Sequence, residues 1–106
     1  MEIVETFAFT RQITALLSDE DYRNFQSKLV ADPAAGVVLR GGNGIRKIRI
    51  AVGSRGKRGG ARVIYYWAVR KHVILMLLAY SKSATADLTL KQVGHLAAAI
   101  KEEFGT

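Results

Sequence analysis

The chain has 106 residues, no cysteine and a formal net charge of +7, and 49% of its residues are hydrophobic. This length predicts a single domain over residues 1–106, because two separate cores would each be too small. The apolar content excludes a disordered basic tail. The lack of cysteine excludes a disulfide framework and a cysteine-based zinc site, and it fits a reducing cytoplasm.

No segment of the sequence predicts membrane insertion or export. The longest apolar stretch, Val73–Tyr80, is much shorter than the roughly 20 residues that span a bilayer. The first seven residues contain two glutamates and no long apolar run, which predicts no signal peptide. We therefore expect a cytoplasmic protein with no membrane partner.

The first third of the chain predicts one strand and two helices. Ile3–Phe9 alternates, which predicts a strand, and its charges place that strand at a sheet edge. Phe9–Leu17 predicts a short helix. Ser18 is the expected N-cap of an amphipathic helix over Ser18–Ala31, because three acidic residues follow it and apolar residues then recur at helical spacing. Asp32-Pro33 ends that helix.

The middle of the chain predicts three consecutive strands. Ile45–Val52 alternates and places Lys47 and Arg49 on the face opposite to Ile48 and Ile50, which predicts a strand with one basic face. The next two strands are expected over Ala61–Val69, which is rich in β-formers, and over His72–Tyr80, which is apolar on both faces. A glycine-rich basic loop, Gly53–Gly60, separates the first two.

The C-terminal segment predicts one more helix. Thr89 and Gln92 have the spacing of a capping box, and apolar residues from Leu90 to Phe104 follow on one helical face. The predicted fold is α+β, with two N-terminal helices, one C-terminal helix and an antiparallel sheet made of the N-terminal strand and the three-strand meander. One sheet face is expected to pack on the helices, and the other to leave a concave basic surface.

Charge is strongly segregated along the chain. Residues 1–32 carry a net charge of −3, residues 33–86 carry eleven bases and no acid, and residues 87–106 carry a net charge of −1. A stretch of 54 residues without a carboxylate attracts polyanions, and nucleic acid is the first candidate. The alternatives at this stage are a solubility device and a contact with an anionic membrane surface.

The segments Gly44–Ile50 and Gly56–Trp67 resemble the RelE/ParE superfamily of bacterial toxins. The resemblance is closest to the HigB-like branch, in which a Gly-Lys-x-Gly-Gly-x-Arg-x-Ile-Tyr-Tyr pattern joins two strands. Tyr80–Ser83 and Asp87–Thr89 resemble the segment that enters the last helix of that branch. The resemblance implies a RelE-like fold and a type II toxin that enters the ribosomal A site and cleaves mRNA there, without a metal or other cofactor. It also implies a cognate antitoxin, which in HigB-like systems is a HigA-like helix-turn-helix protein.

The resemblance also implies the site residues. By position, the residues that contact and cleave the message fall on Lys47, Arg49, Arg62 and Lys82. Further contacts with RNA or the ribosome are expected from four bases and one aromatic residue: Arg46, Arg55, Lys57, Arg58 and Tyr66. The chain departs from RelE proper where Ser83 replaces an arginine and where a base-stacking tyrosine has no counterpart near Thr89.

The residues themselves leave several interpretations open. Tyr66 alternates onto the face of Arg62, where it can stack on a base or simply pack on the sheet. His72 and His95 are expected to be structural, so lysine and arginine remain for the chemistry. One alternative function is a non-enzymatic ParE-like poison of DNA gyrase, and another is a plain RNA- or DNA-binding module.

Overall fold

The computed structural model of the chain describes residues 1–51, 60–81 and 88–104, except for the side chain of Phe104. The elements, in chain order, are β1 (Glu2–Glu5), α1 (Phe7–Leu16), α2 (Asp19–Ala31), β2 (Val37–Val38), β3 (Ile45–Ile50), β4 (Ala61–Ala68), a 3-10 turn (Val69–Lys71), β5 (Val73–Ser81) and α3 (Leu90–Phe104). Across these ranges the fold is α+β, as predicted, with three α-helices around a five-stranded mixed sheet.

The sheet is mixed, so the prediction of an antiparallel sheet was wrong at one strand. The spatial order is β1-β5-β4-β3-β2. The contiguous strands β3, β4 and β5 form the expected antiparallel meander, but β1 lies parallel to β5, with Glu2 beside Val73 and Glu5 beside Met76. Alternation predicted the strand and its charges predicted an edge position, but neither carries information about the direction of a distant partner strand.

The second edge of the sheet is β2, a strand that was not predicted. Its two residues pair antiparallel with β3, Val37 with Lys47 and Val38 with Arg46. Two residues are too few to show a period-2 pattern, so β2 has no local signature. It covers only the first half of the edge of β3.

Helices cover both faces of the sheet, which corrects the expectation of one open face. On one face Phe9 and Ile13 of α1 and Phe25 and Leu29 of α2 join a core cluster with Val63, Tyr65, Ile74 and Met76 of the sheet. On the other face Ala97 and Ile100 of α3 pack with Ile45, Ile64 and Leu77. The apolar stripe of α3 predicted that the helix would be buried, but not on which face.

Helix caps lie close to their predicted places. The Ser18 hydroxyl accepts a hydrogen bond from the Asp21 N–H (3.1 Å), and Thr89 and Gln92 form a reciprocal capping box (3.1 and 2.8 Å). Both caps confirm the sequence-based predictions. The exception is α1, which begins two residues earlier than expected because the Thr6 hydroxyl accepts from the Phe9 N–H (3.0 Å) and caps the helix there.

A β-bulge in β5 is held by side chains of the N-terminal segment. Ile64 pairs with Leu78 and Tyr65 with Met76, so Leu77 is an extra residue in β5. The Thr6 hydroxyl donates to the Leu77 carbonyl (2.8 Å). Beside it, the Gln12 side-chain oxygen accepts from the Ala79 N–H (2.9 Å). The bulge turns both Leu77 and Leu78 toward the α3 face.

Replacing Gln12 by leucine is expected to lower the free energy of unfolding by about 1–3 kcal/mol, because the partly buried Ala79 N–H then has no acceptor. Urea denaturation measures this loss. Thr14→Val is the control, since the Thr14 hydroxyl only donates to the Thr10 carbonyl on an exposed helix surface, and a change of about 0.5 kcal/mol or less is expected. Equal losses in the two variants would contradict a special role of Gln12 at the bulge.

The Glu5 carboxylate, at the end of β1, joins β1 to α1 and α2 through hydrogen bonds. The Tyr22 hydroxyl donates to one carboxylate oxygen (2.5 Å) and the Thr10 hydroxyl donates to the other (2.6 Å). Burial raises the pKa of Tyr22 above its usual value, and the hydrogen bond to the Glu5 carboxylate and its charge raise it further. The folded protein therefore retains the Tyr22 proton at a pH where the unfolded chain loses it.

This difference predicts an alkaline loss of stability. The contribution of Tyr22 is complete below the unfolded pKa of about 10 and falls as the pH rises above it. Tyr22→Phe removes this titration, so the stability difference between the wild type and the variant should shrink between about pH 8 and about pH 11. Urea midpoints across this range measure it. A difference that stays constant with pH would contradict the linkage.

Candidate nucleic-acid interface

Three of the predicted site residues lie on one face of the sheet. Arg49 pairs across the strands with Arg62, and Lys47 pairs with Ile64 one step along the same face. We call Lys47, Arg49 and Arg62 the basic face. Farther along the sheet, α3 covers this same face. Ile64, which pairs with Lys47, and Ile45, two residues before Lys47, pack with Ala97 and Ile100 of α3.

The pairing geometry brings the two arginines close together. The Ile45 carbonyl accepts from Leu39 N–H on the side of β2, so the backbone groups of Ile45, Lys47 and Arg49 point away from β4 by alternation. Arg49 and Arg62 are therefore a non-hydrogen-bonded pair, the kind in which Cα atoms approach to about 4.5 Å. Like charges directly opposite destabilise a sheet, whereas they suit the binding of an anion.

Acidic side chains are concentrated elsewhere in the fold. Three of them, Asp19, Glu20 and Asp21, fill the first turn of α2. That helix packs on the opposite face of the sheet from α3. The sequence has no carboxylate between residues 33 and 86, which includes all of β3, β4 and β5. The acidic first turn of α2 and the basic face therefore lie on opposite sides of the sheet.

A small cavity adjoins the basic face. Its volume is about 200 Å³, and it lies between the sheet and the first turn of α3. Five apolar residues line it: Leu39, Ile64, Leu88, Leu90 and Val93. Three residues with polar ends complete it: Arg40, Lys47 and Tyr80. We call it the Arg40 cavity.

A larger groove lies against α2, along the part of β3 that β2 leaves uncovered. Its volume is about 520 Å³, and Arg49 lines it together with Asp21, Lys28 and Asp32. The two carboxylates oppose a phosphate, so this groove suits a polyanion less well than the basic face does.

Arg46 lies on the opposite face of β3 from Lys47 and Arg49. Its guanidinium donates to the Gly36 carbonyl (2.8 Å) and to the Ala34 carbonyl (3.2 Å), which ties the loop between α2 and β2 to the sheet. The structure therefore gives Arg46 a role in the fold and separates it from the other predicted contacts. A role in binding RNA stays a prediction for this residue.

Tyr66 shares the face of Arg62, as the alternation predicted, but it lies well away from it. They are four positions apart along β4, which corresponds to about 13 Å. Tyr66 packs on the α3-side cluster at the row of Ile45. Packing on the sheet is thus the role that the structure supports for it.

Four predicted contact residues, Arg55, Lys57, Arg58 and Lys82, lie outside the described residues. Both histidines are exposed. His72 ends the 3-10 turn in a left-handed conformation (φ 54°), at the other end of β4 from Arg62, and His95 lies on α3. Neither belongs to the Arg49–Arg62 row.

Sequence reasoning missed Arg40 and Tyr80. Arg40 stands in a turn-rich segment with no periodicity, so nothing predicted where its side chain would lie. Tyr80 was missed because the bulge at Leu77 shifts the register by one residue, so that Tyr80 rather than Ala79 lies opposite Arg62. The cavity itself depends on α3 crossing this face, which the sequence did not predict.

No protein-family model matches the chain. Within residues 1–51, 60–81 and 88–104, no helix is long and apolar enough to cross a membrane. In the same ranges, no three side chains of His, Asp or Glu are grouped in a way that would hold a metal ion. The basic face offers closely spaced cations next to an apolar cavity.

Proposed function

We propose that this chain is a RelE-like toxin of a bacterial type II toxin-antitoxin system, closest to the HigB-like branch, and that it cleaves mRNA in the ribosomal A site. The observation that carries the proposal is the cross-strand pair of Arg49 and Arg62 with Lys47 beside it. Two arginine side chains side by side offer several N–H donors to the oxygens of one bound phosphate.

The reaction that fits these cations is intramolecular cleavage of RNA. The 2′-oxygen attacks the adjacent phosphorus, the bond from phosphorus to the 5′-oxygen breaks, and a 2′,3′-cyclic phosphate and a 5′-hydroxyl result. Arg49 and Arg62 would stabilise the charge that develops on the phosphate. Lys47 and Lys82 are the candidates for moving the two protons, from the 2′-hydroxyl and to the leaving oxygen.

Dependence on the ribosome follows from what the basic face lacks. Among the described residues on β3 and β4, this face carries no histidine or carboxylate that could act as an ordinary general base. Its cations would bind the phosphate and stabilise the charge that develops on it. The rate of cleavage then depends on holding the RNA with its 2′-oxygen in line with the phosphorus and the leaving 5′-oxygen. The ribosome, through rRNA and the codon in its A site, is the partner that would impose this geometry, in the bacterial cytoplasm.

An antitoxin is the second proposed partner. A HigA-like helix-turn-helix protein would present acidic residues where it meets the basic face, or would contact the helices instead. Co-purification with the product of the adjacent open reading frame tests this part of the proposal separately.

Brief expression in a bacterium tests the enzymatic part. We expect new RNA 5′ ends within translated regions, and none in a matched message from which the ribosome-binding site has been removed. Cuts in both messages would contradict dependence on the ribosome. An SOS response with intact messages would overturn the proposal in favour of a gyrase poison of the ParE type.

A further inference from the structure

The Arg40 cavity lies one step along the sheet from the arginine pair. Lys47 and Ile64, which line the cavity, occupy the row next to Arg49 and Arg62, about 7 Å away along the strands. Tyr80 lies next to both the arginine pair and the cavity, because it pairs with Arg62 across β4 and β5 and also lines the cavity. A ligand group on the arginine pair therefore has the cavity directly beside it.

The walls of the cavity are apolar and its rim is cationic. Ile64 and Val93 are fully or almost fully buried, and Leu39 packs on the same cluster, so these walls stay in place without a ligand. Arg40 and Lys47 supply only hydrogen-bond donors, and Tyr80 supplies an aromatic ring. A flat heteroaromatic group with acceptors along one edge matches both the walls and the rim.

The volume of the Arg40 cavity limits the size of the ligand that it can bind. Drug-sized and cofactor-sized ligands need cavities of about 300–1,000 Å³, whereas this one holds about 200 Å³. A single nucleobase fits this volume, and unstacked bases of single-stranded RNA bind on aromatic and arginine side chains in this way.

We propose that the Arg40 cavity binds one unstacked base of the RNA whose phosphate lies on Arg49 and Arg62, and that Arg40 selects guanine there. The choice of RNA rests on the proposed function, but the cavity and its donors do not. An arginine presents two parallel N–H donors, and guanine presents the O6 and N7 acceptors that match them. Adenine replaces one of these acceptors with a donor, and the pyrimidines lack the pair.

Binding of short RNAs to the purified chain tests the cavity without the ribosome. The probes are four heptamers of uridine whose central position is guanosine, adenosine, uridine or an abasic site, measured by fluorescence anisotropy at one salt concentration. We expect the guanosine probe to bind about tenfold more tightly than the abasic probe, within the range of one bidentate base contact.

Arg40→Leu is the test variant, since Arg40 is exposed and leucine leaves the rest of the cavity unchanged. We expect it to bring the guanosine, adenosine and uridine probes to within about twofold of one another, while the abasic probe stays weaker because the apolar walls and the Tyr80 ring remain. Arg23→Leu on α2 removes the same charge on the other side of the sheet and should keep the tenfold ratio. The dependence of binding on salt should be the same in both variants, because neither arginine is proposed to contact a phosphate.

The outcomes separate this proposal from the proposed function. Equal binding of all four probes by the wild type, or a guanine preference that survives in Arg40→Leu, would overturn the base-binding role of the cavity. Cleavage of translated messages with no base preference would overturn guanine selection and leave the proposed function standing. A guanine preference in binding, with intact messages in cells, would support the cavity and contradict the nuclease.

Discussion

Arg62→Ala is expected to abolish growth arrest while the chain stays folded. The variant removes half of the cross-strand pair that would hold the scissile phosphate, and losing one preorganised donor of this kind costs about 10²–10³ in rate. The free energy of unfolding should change by about 1 kcal/mol or less, because relief of like-charge repulsion offsets the lost side-chain contacts. Growth after induction measures the arrest, mapping of RNA 5′ ends measures cleavage, and urea denaturation measures the free energy of unfolding.

Arg70→Ala is the matched control for this result. Arg70 is exposed on the 3-10 turn after β4, at the other end of the strand from Arg62, and its removal changes the net charge by the same amount. We expect Arg70→Ala to retain the arrest. Full arrest by Arg62→Ala would remove Arg62 from the mechanism, and equal loss in both variants would assign the effect to net charge.

Gly36→Ala is expected to destabilise the fold by about 1–3 kcal/mol. A Cβ at this position would come within 2.8 Å of the Tyr65 hydroxyl oxygen and 3.0 Å of the Lys47 carbonyl oxygen. Tyr65 is fully buried and cannot move aside. Its hydroxyl donates to the Pro33 carbonyl (2.7 Å) and accepts from the Gly36 N–H (2.9 Å), so this loop and the ring fix each other.

Gly94→Ala provides the control with the opposite sign. Gly94 is exposed on α3, and a Cβ there would meet no atom of another part of the chain within 4 Å, so alanine should stabilise the helix by about 0.5–1 kcal/mol. Tyr65→Phe tests the same contact from the other side and should cost about 1–3 kcal/mol, since it leaves the Gly36 N–H without its acceptor. Thermal or urea unfolding that ranks Gly36→Ala as neutral would contradict the close packing of this loop.

Several features of the fold follow from local sequence alone. The cap at Ser18 and the capping box at Thr89 were predicted from side chains that satisfy backbone donors within three residues. The strand core Ile45–Ile50 was predicted from alternation, which also placed Lys47 and Arg49 on one face. In each case the cause and the effect lie within a few residues of each other.

Other features needed contacts between distant residues. Arg46 resembled its basic neighbours in the sequence, yet the fold directs it to the carbonyls of Ala34 and Gly36 on the other face. Tyr66 was placed on the correct face, but only the packing of α3 decided that it belongs to a core cluster. The Tyr65 contact with Gly36 joins residues 29 positions apart and has no local pattern.

The sequence was sufficient to predict the α+β class, the meander of β3, β4 and β5, and a carboxylate-free basic segment. Hydrophobic periodicity and charge are properties of contiguous residues, so both can be identified from the sequence without a structure. The parallel pairing of β1, the edge strand β2, the placement of α3 and hence the Arg40 cavity were decided only by the tertiary structure. These depend on which distant apolar faces bury each other most completely, and that free energy belongs to the whole fold rather than to any one segment.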